Sequence, residues 1–398
     1  MIQTYGSETT NPTLTYMGQT QHLRDLLDNA LTATERENIL KTYYQQANAK
    51  LGGIYCDLVK TRLQIAKKMG YGSYADYAYS KYGRDYTAQM GAEFVSHVES
   101  ILVPLYKTLN ASNRQHPSLS TMSWKEIVPT EGSSVTQIND SVKKAFDFMQ
   151  KNDLYDIAPS VGKVQYDFTT YIPMYESPFI VINAYENQSD LLTFAHEFGH
   201  FTDMFMNYNN NGLLDLSECA SQGMEYLMIT HLPDSQKDLR NKLIEFKMFD
   251  TLYVHVTQSA YTAFEQEVYA LAPEEVTLDR VNAIAADIAE RFGLSEDSLT
   301  FGNGWVMIPH FFEEAFYCIS YCVSNDIALQ IYQAECKKAG SGADVYMKLL
   351  DYWEREGDET FLEIVEDAKL LNPCKKERVN KIADFLQDYY DINLPMAA

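Results

Sequence analysis

Positive charge is scarce in this chain: 32 Lys and Arg stand against 55 Asp and Glu, for a net charge of −23. Binding a polyanion needs a basic face, so nucleic acid is not an expected partner. The same field repels anionic membrane surfaces and mildly attracts cationic solutes. Cysteine is sparse as well. Cys56, Cys219, Cys318, Cys322, Cys336 and Cys374 form no C-x-x-C pair, which points to reduced thiols in a cytoplasm rather than a disulfide framework. Cys318 and Cys322 stand four apart, but without a matching pair they make no cysteine-based zinc site. No apolar run approaches the roughly 20 residues of a membrane span. The opening MIQTYGSETTNPTLTYMGQT has neither the basic start nor the apolar centre of a signal peptide.

What is abundant is apolar and aromatic surface. Of 398 residues 46% are hydrophobic, with 29 Tyr and 19 Phe. That suits a large core or a binding channel. Residues 1–20 are polar and Thr-rich, and are expected to be a flexible lead-in. From about residue 21 apolar residues recur at three- and four-residue steps, with caps at Thr32 and Ser73. Residues 110–134 are expected to be a polar connection broken by Pro117 and Pro129, followed by a helix over 137–152. The texture changes at GKVQYDFTTYIPMYESPFIVINAYENQSD (162–190), whose β-branched and aromatic runs predict a small hairpin or short sheet. Helices are then expected over about 215–231, 234–247, 250–271, 277–292, 309–338, 342–355, 359–370 and 375–389. With no repeat and no shift in composition, 21–390 reads as one mainly α domain, a helical lobe over 21–160 and a second half over 161–390.

One stretch carries chemistry. In LLTFAHEFGHFTDMFM (191–206), His196 and His200 stand four apart, with Glu197 directly after the first. On a helix, residues four apart share a face about 5–6 Å apart at Cβ. Both imidazoles can then reach one metal ion, while Glu197 sits one step round as a general base. The alternative is an ordinary helix carrying two satisfied histidines. Gly199 weighs against it, because a helical glycine costs about 1 kcal/mol relative to alanine and implies a close approach there. Leu191, Leu192, Phe194, Ala195 and Phe198 would supply dry packing. A catalytic zinc needs a third protein ligand and an open position. The continuation HExxHxxGxxH is absent, because Asp203 and Met206 occupy its Gly and His positions. LDLSECASQGMEYL (214–227) offers Glu218 and Glu225, seven apart on one helix face. Either could ligate, and the other would support, for example by bonding the far nitrogen of a histidine.

HEFGH followed by Glu218, Ser221 and Glu225 in the pattern E-x-x-S-x-x-x-E resembles the thimet oligopeptidase and oligoendopeptidase F family of zinc peptidases. LQIAKKMGYGSYADYAYSKYGRDYT (63–87) and WVMIPHFFEEAFYCISYCVSNDIA (305–328) are similar to further family segments, and the resemblance spans about residues 40–390. It is closer to oligoendopeptidase F. The resemblance implies a zincin-like helical metallopeptidase with a small β element beside the active-site helix and a deep substrate cleft. It implies one Zn2+ held by His196, His200 and Glu218, with Glu225 and Asp203 in support. Departures are a short N-terminal side and the replacement of the family's Gly- and Ser-rich loop by VQYDFTTYIPMY (164–175).

Pro309 fits the first turn of a helix, after which His310, Glu314, Tyr317 and Tyr321 fall on one stripe at helical spacing. A buried aromatic face is the plainer reading. With the resemblance, His310 and Tyr317, and less so Tyr321, are expected to stabilise an oxyanion. Phe179, Ile180, Val181, Ile182 and Asn183 are expected to form the edge strand that pairs with substrate. The expected function is zinc-dependent endopeptidase action on short or unfolded oligopeptides. The alternatives are a zinc-retaining peptide-binding protein and a zinc carboxypeptidase or dipeptidyl carboxypeptidase. The oligomeric state is not legible.

Overall fold

The computed structural model describes every residue except 11, 113–116, 161–162, 164–165, 208–212, 295–300, 352–358 and 393–398. Parts of the expected 110–134 connection and of the 164–175 stretch therefore lie outside the described residues. In chain order the elements are α1 (Ile2–Thr10), β1 (Thr13–Tyr16), β2 (Gln19–His22), α2 (Leu23–Asp28), α3 (Ala33–Lys68), α4 (Tyr74–Lys81) and α5 (Ala88–Ala111). Next come α6 (Trp124–Val135), α7 (Asp140–Lys151), β3 (Tyr155–Asp156), β4 (Phe168–Ile172), β5 (Ser177–Val181), α8 (Ser189–Asn207), α9 (Leu214–His231) and α10 (Lys237–Tyr269). The last are α11 (Leu278–Phe292), α12 (Pro309–Glu313), α13 (Ile319–Lys337), α14 (Ser341–Leu350), α15 (Phe361–Asp367) and α16 (Lys376–Tyr390). The chain is 71% helical, which settles the class as mainly α. Among the described residues no helix is long and apolar enough to cross a membrane.

The chain forms two compact units, and their boundaries do not fall at 160/161. Met1–Lys81, Thr87–Pro104 and Val256–Ile319 make the first; Tyr82–Tyr86, Leu105–His255 and Ser320–Ala398 make the second. Two long helices, α5 and α10, each contribute residues to both. Residues 234–247 and 250–271, expected as two helices, are largely one. Met248 and Phe249 are buried and carry no breaker between them.

In the first unit, the expected loose lead-in is structured among its described residues: Ile2–Thr10 is helical and Thr13–Tyr16 pairs with Gln19–His22. Met17 and Gly18 have φ of 49° and 80° and close a two-residue hairpin turn. Leu14 is fully buried, and Gln46 of α3 bonds both backbone groups of Thr15. Tyr55, Phe264, Trp305, Phe311 and Phe312 pack around this unit's core. The helix expected over 309–338 is broken. Arg62 donates to the carbonyls of Phe311 and Phe312 at the end of α12. Both carboxylate oxygens of Glu265 accept from Phe316 N–H, at 3.0 and 2.9 Å. Phe316 sits at φ 64°, a left-handed conformation that ends helical pairing. The stripe His310–Glu314–Tyr317–Tyr321 is therefore not one helix face.

In the second unit, the connection expected over 110–134 ends in α6. Ser123 and Glu126 form a capping box that starts it, and Ile127, Val128 and Val135 bury its inner face. The small sheet has the order β3-β5-β4, with β5 parallel to β3 and antiparallel to β4 along its length. Phe179–Val181 thus lie in the central strand, and Ile182 N–H and Ile180 N–H donate to Asp156 and Leu154 carbonyls. Central pairing uses the backbone groups that a substrate would need, which corrects the expected edge-strand role of this segment. Asn183 follows the strand. Its N–H donates to Asp167 and its side chain binds the Ser160 backbone. Among the described residues β4 is the edge of the sheet on its outer side.

Candidate metal centre

The site is built where α8 and α9 cross in the second unit. Gly199 makes the crossing possible. A Cβ added there would fall against the Ala220 carbonyl oxygen and 2.6 Å from Ser221 Cα, both backbone atoms of α9. The close approach implied by a glycine inside a helix is thus helix on helix. It brings the inward face of α9 against the two histidines of α8.

His196 and His200 present their rings at 80° to one another with centroids 5.0 Å apart. His196 Nε2 lies 3.6 Å from Glu218 Oε2, and His200 Nε2 lies 3.8 Å from the same oxygen. One ligand atom from each of the three residues falls within 4.8 Å of the others. Two ligands about 2.0–2.1 Å from a tetrahedral zinc stand roughly 3.4 Å apart, so the set has the size such an ion needs. The donor chemistry, two imidazoles and one carboxylate, is also that of catalytic zinc. Glu218 is buried at 2% exposure, whereas the histidine side chains are 23% and 14% exposed. One side of the cluster is therefore open, as a catalytic site requires and a closed structural site does not.

The far nitrogens are fixed. His196 Nδ1 lies 2.8 Å from Glu225 Oε1, which holds the proton on Nδ1 and leaves Nε2 free to ligate. His200 Nδ1 lies 3.2 Å from Ser217 Oγ. Ser221 Oγ donates to Glu218 Oε2, the oxygen nearest both histidines, at 3.0 Å. Glu225 is held in turn by Lys247 Nζ at 2.6 Å, and Lys247 pairs with Asp250 at 2.8 Å. Burial works against the charge on Lys247, but Asp250 and Glu225 more than offset it and raise its pKa. Burial likewise opposes protonation of His196, yet its bond to Glu225 and the charges of Glu225, Glu218 and Glu197 raise it to about 9. His200 moves the other way, lowered by burial and by His196.

Glu197 is 5% exposed. Its Oε2 accepts from Thr169 Oγ1 of β4 at 2.8 Å, and the same hydroxyl donates to the Glu197 backbone carbonyl at 2.9 Å. Burial pushes its pKa up to about 7; His196 and the Thr169 bond pull it down, and Glu218 and Asp167 push it up. A carboxylate poised near neutrality can take and return a proton.

The structure gathers His196, Glu197, His200, Glu218 and Glu225 in one place. Asp203 is buried one turn further along α8, where it accepts from Asn207 Nδ2 at 2.7 Å. His310 and Tyr317 belong to the first unit, and their rings stack at 4.7 Å and 8° despite the broken helix. Tyr321 is on α13 of the second unit, and its carbonyl accepts from Gln222 of α9. Sequence reasoning missed Thr169, Ser217 and Lys247. Lys247 had a faint signal, a lone cation between Phe246 and Met248–Phe249, with Asp250 one helical turn on.

Residues 137–352 match Peptidase family M3. This chain belongs to that family. The oligopeptidase PepF of Bacillus subtilis (strain 168) is 24% identical over 188 residues; the aligned part spans 44% of this chain and 28% of that protein. Among solved structures, PZ peptidase A with an inhibitor superposes with a TM-score of 0.81 at 22% identity, covering 97% of this chain and 75% of that one. An oligoendopeptidase F from Bacillus anthracis str. Ames gives 0.76 at 20% identity, covering 98% and 73%. These likenesses establish the helical fold of oligoendopeptidase F-like peptidases.

Proposed function

We propose that this chain is a zinc-dependent endopeptidase acting on short or unfolded oligopeptides. The observation that carries the reading is the convergence of His196, His200 and Glu218 on one open point, with a buried Glu197 beside it. His196, His200 and Glu218 would hold the ion. Bound zinc would polarise the scissile carbonyl and acidify the attacking water. Glu197, oriented by Thr169, takes the proton of that water and returns it to the leaving amine. Glu225 and Lys247 keep the His196 ring in the ligating tautomer. His310 and Tyr317 are assigned to the oxyanion on the strength of the family resemblance and their mutual stacking.

The sheet edge for substrate is β4 rather than β5. β4 has an unpaired side among the described residues, and its Thr169 already touches the base. The six cysteines are free thiols, which suits a reducing cytoplasm. The test is hydrolysis of quenched mixed peptides by the protein as purified, after chelation, and after zinc is restored. Activity that disappears with chelation and returns with stoichiometric zinc supports the reading. Activity indifferent to chelation opposes it.

A further inference from the structure

A second site stands out by its charge. In a protein of net charge −23, a cavity of about 600 Å³ between α13 and α16 is lined by three cations, Lys337, Arg378 and Lys381, and by no acid. Its remaining walls are Tyr332, Gln333, Cys336, Phe385 and Tyr389. The volume falls in the range of small-molecule sites. Tyr332 and Phe385 meet edge to face at 6.5 Å, and Tyr389 is 41% exposed. An apolar aromatic wall beside concentrated positive charge suits an organic anion.

Arg378 adds an independent observation. It is 4% exposed, and its Nε donates to Asp326 Oδ1 at 2.6 Å, but its Nη2 is buried with no hydrogen-bond partner. A buried guanidinium nitrogen without an acceptor is unfavourable, because its hydration has been lost and nothing replaces it. The other oxygen of Asp326 accepts from Gln330 Nε2 rather than from this nitrogen. Glu335 is close in sequence but turned away, with its oxygens accepting from Gly340, Gly342 and Ala343 N–H. Exposed Lys337 and Lys381 are left without a counter-ion among the lining residues.

We propose that this cavity binds a carboxylate carried on an aromatic or aliphatic body, with Lys337, Lys381 and Arg378 receiving the carboxylate and Tyr332, Phe385 and Tyr389 the body. The carboxylate can come from a free small acid or from the end of a peptide with an apolar last residue.

Cys336 supplies the readout. It lines the cavity and is exposed, whereas Cys56, Cys219, Cys318, Cys322 and Cys374 are buried. The experiment follows the rate at which the neutral reagent 4,4′-dithiodipyridine modifies Cys336 in the full chain, read by mass spectrometry of the Cys336 peptide. The labelling is run with 3-phenylpropionate, with 3-phenylpropanamide, and with N-acetyl-phenylalanine as the mimic of a peptide end. The expected result is saturable slowing by the two acids and none by the amide. Lys337→Gln combined with Lys381→Gln should raise the half-protecting concentration of the acids about tenfold, the loss of a charge-assisted contact. Whichever acid protects at lower concentration identifies the source. Equal protection by acid and amide, no protection by either acid, or an unchanged half-protecting concentration in the double variant would overturn the proposal.

Discussion

Glu225 Oε1 lies 2.8 Å from His196 Nδ1, while its other oxygen is held 2.6 Å from the buried Lys247. His196 is therefore oriented by a carboxylate that is itself anchored by a cation on a third helix. Glu225→Gln keeps the shape and removes the charge. It should weaken zinc binding about 10- to 100-fold, measured by competition with a chromogenic chelator. Lys247→Met leaves the buried Glu225 and the half-buried Asp250 without their shared cation, and should lower unfolding stability by about 3 kcal/mol in urea. Unchanged zinc affinity in Glu225→Gln would remove the anchoring role.

Gly199 is a packing requirement. Gly199→Ala places a methyl group against the backbone of Ala220 and Ser221, which cannot yield as a flexible side chain would. The expected cost is at least about 2–3 kcal/mol in urea unfolding, with lower zinc content as α8 and α9 separate. A variant of wild-type stability would show that the crossing is looser than described.

Glu131 on α6 is fully buried and neither oxygen has a hydrogen-bond partner. Burial raises its pKa well above the carboxylate range. Its folded value exceeds its unfolded value of about 4.3, so its contribution is fully present below that pH and is lost as pH rises, by up to about 1.4 kcal/mol per unit. Glu131→Met should therefore gain stability over wild type as pH goes from 5 to 8, measured by urea midpoints. A difference that does not grow with pH would contradict the assignment.

Tyr317→Phe should lower kcat about 10²- to 10³-fold, with zinc content and KM little changed, if its hydroxyl stabilises the oxyanion. His310→Ala, by removing the ring stacked on Tyr317, should act in the same direction. Full activity in both would return these rings to a purely packing role.

The clustering of these side chains was legible because it is local. Four-residue spacing fixes His196 and His200 on one face, and seven-residue spacing does the same for Glu218 and Glu225. Gly199 also announced its close approach, though not its partner. What failed depends on distant residues. The break after α12 is imposed by Arg62 and Glu265, each about 50 or more residues away. β5 is central because of β3, a two-residue strand too short to leave a periodic trace. Pro129 hid α6, although the Ser123–Glu126 capping box was in plain view. Thr169 reaches Glu197 only because β4 lies beside α8, a relation that no spacing within either segment encodes.

The most direct test of the central claim compares wild type with Glu197→Gln on a quenched mixed-peptide library, with zinc measured in both proteins. The expected result is one zinc per chain in each and a loss of cleavage of several orders of magnitude in the variant. Equal cleavage by the two proteins would contradict Glu197 as the base. Full zinc occupancy with no cleavage by wild type would contradict the peptidase reading itself.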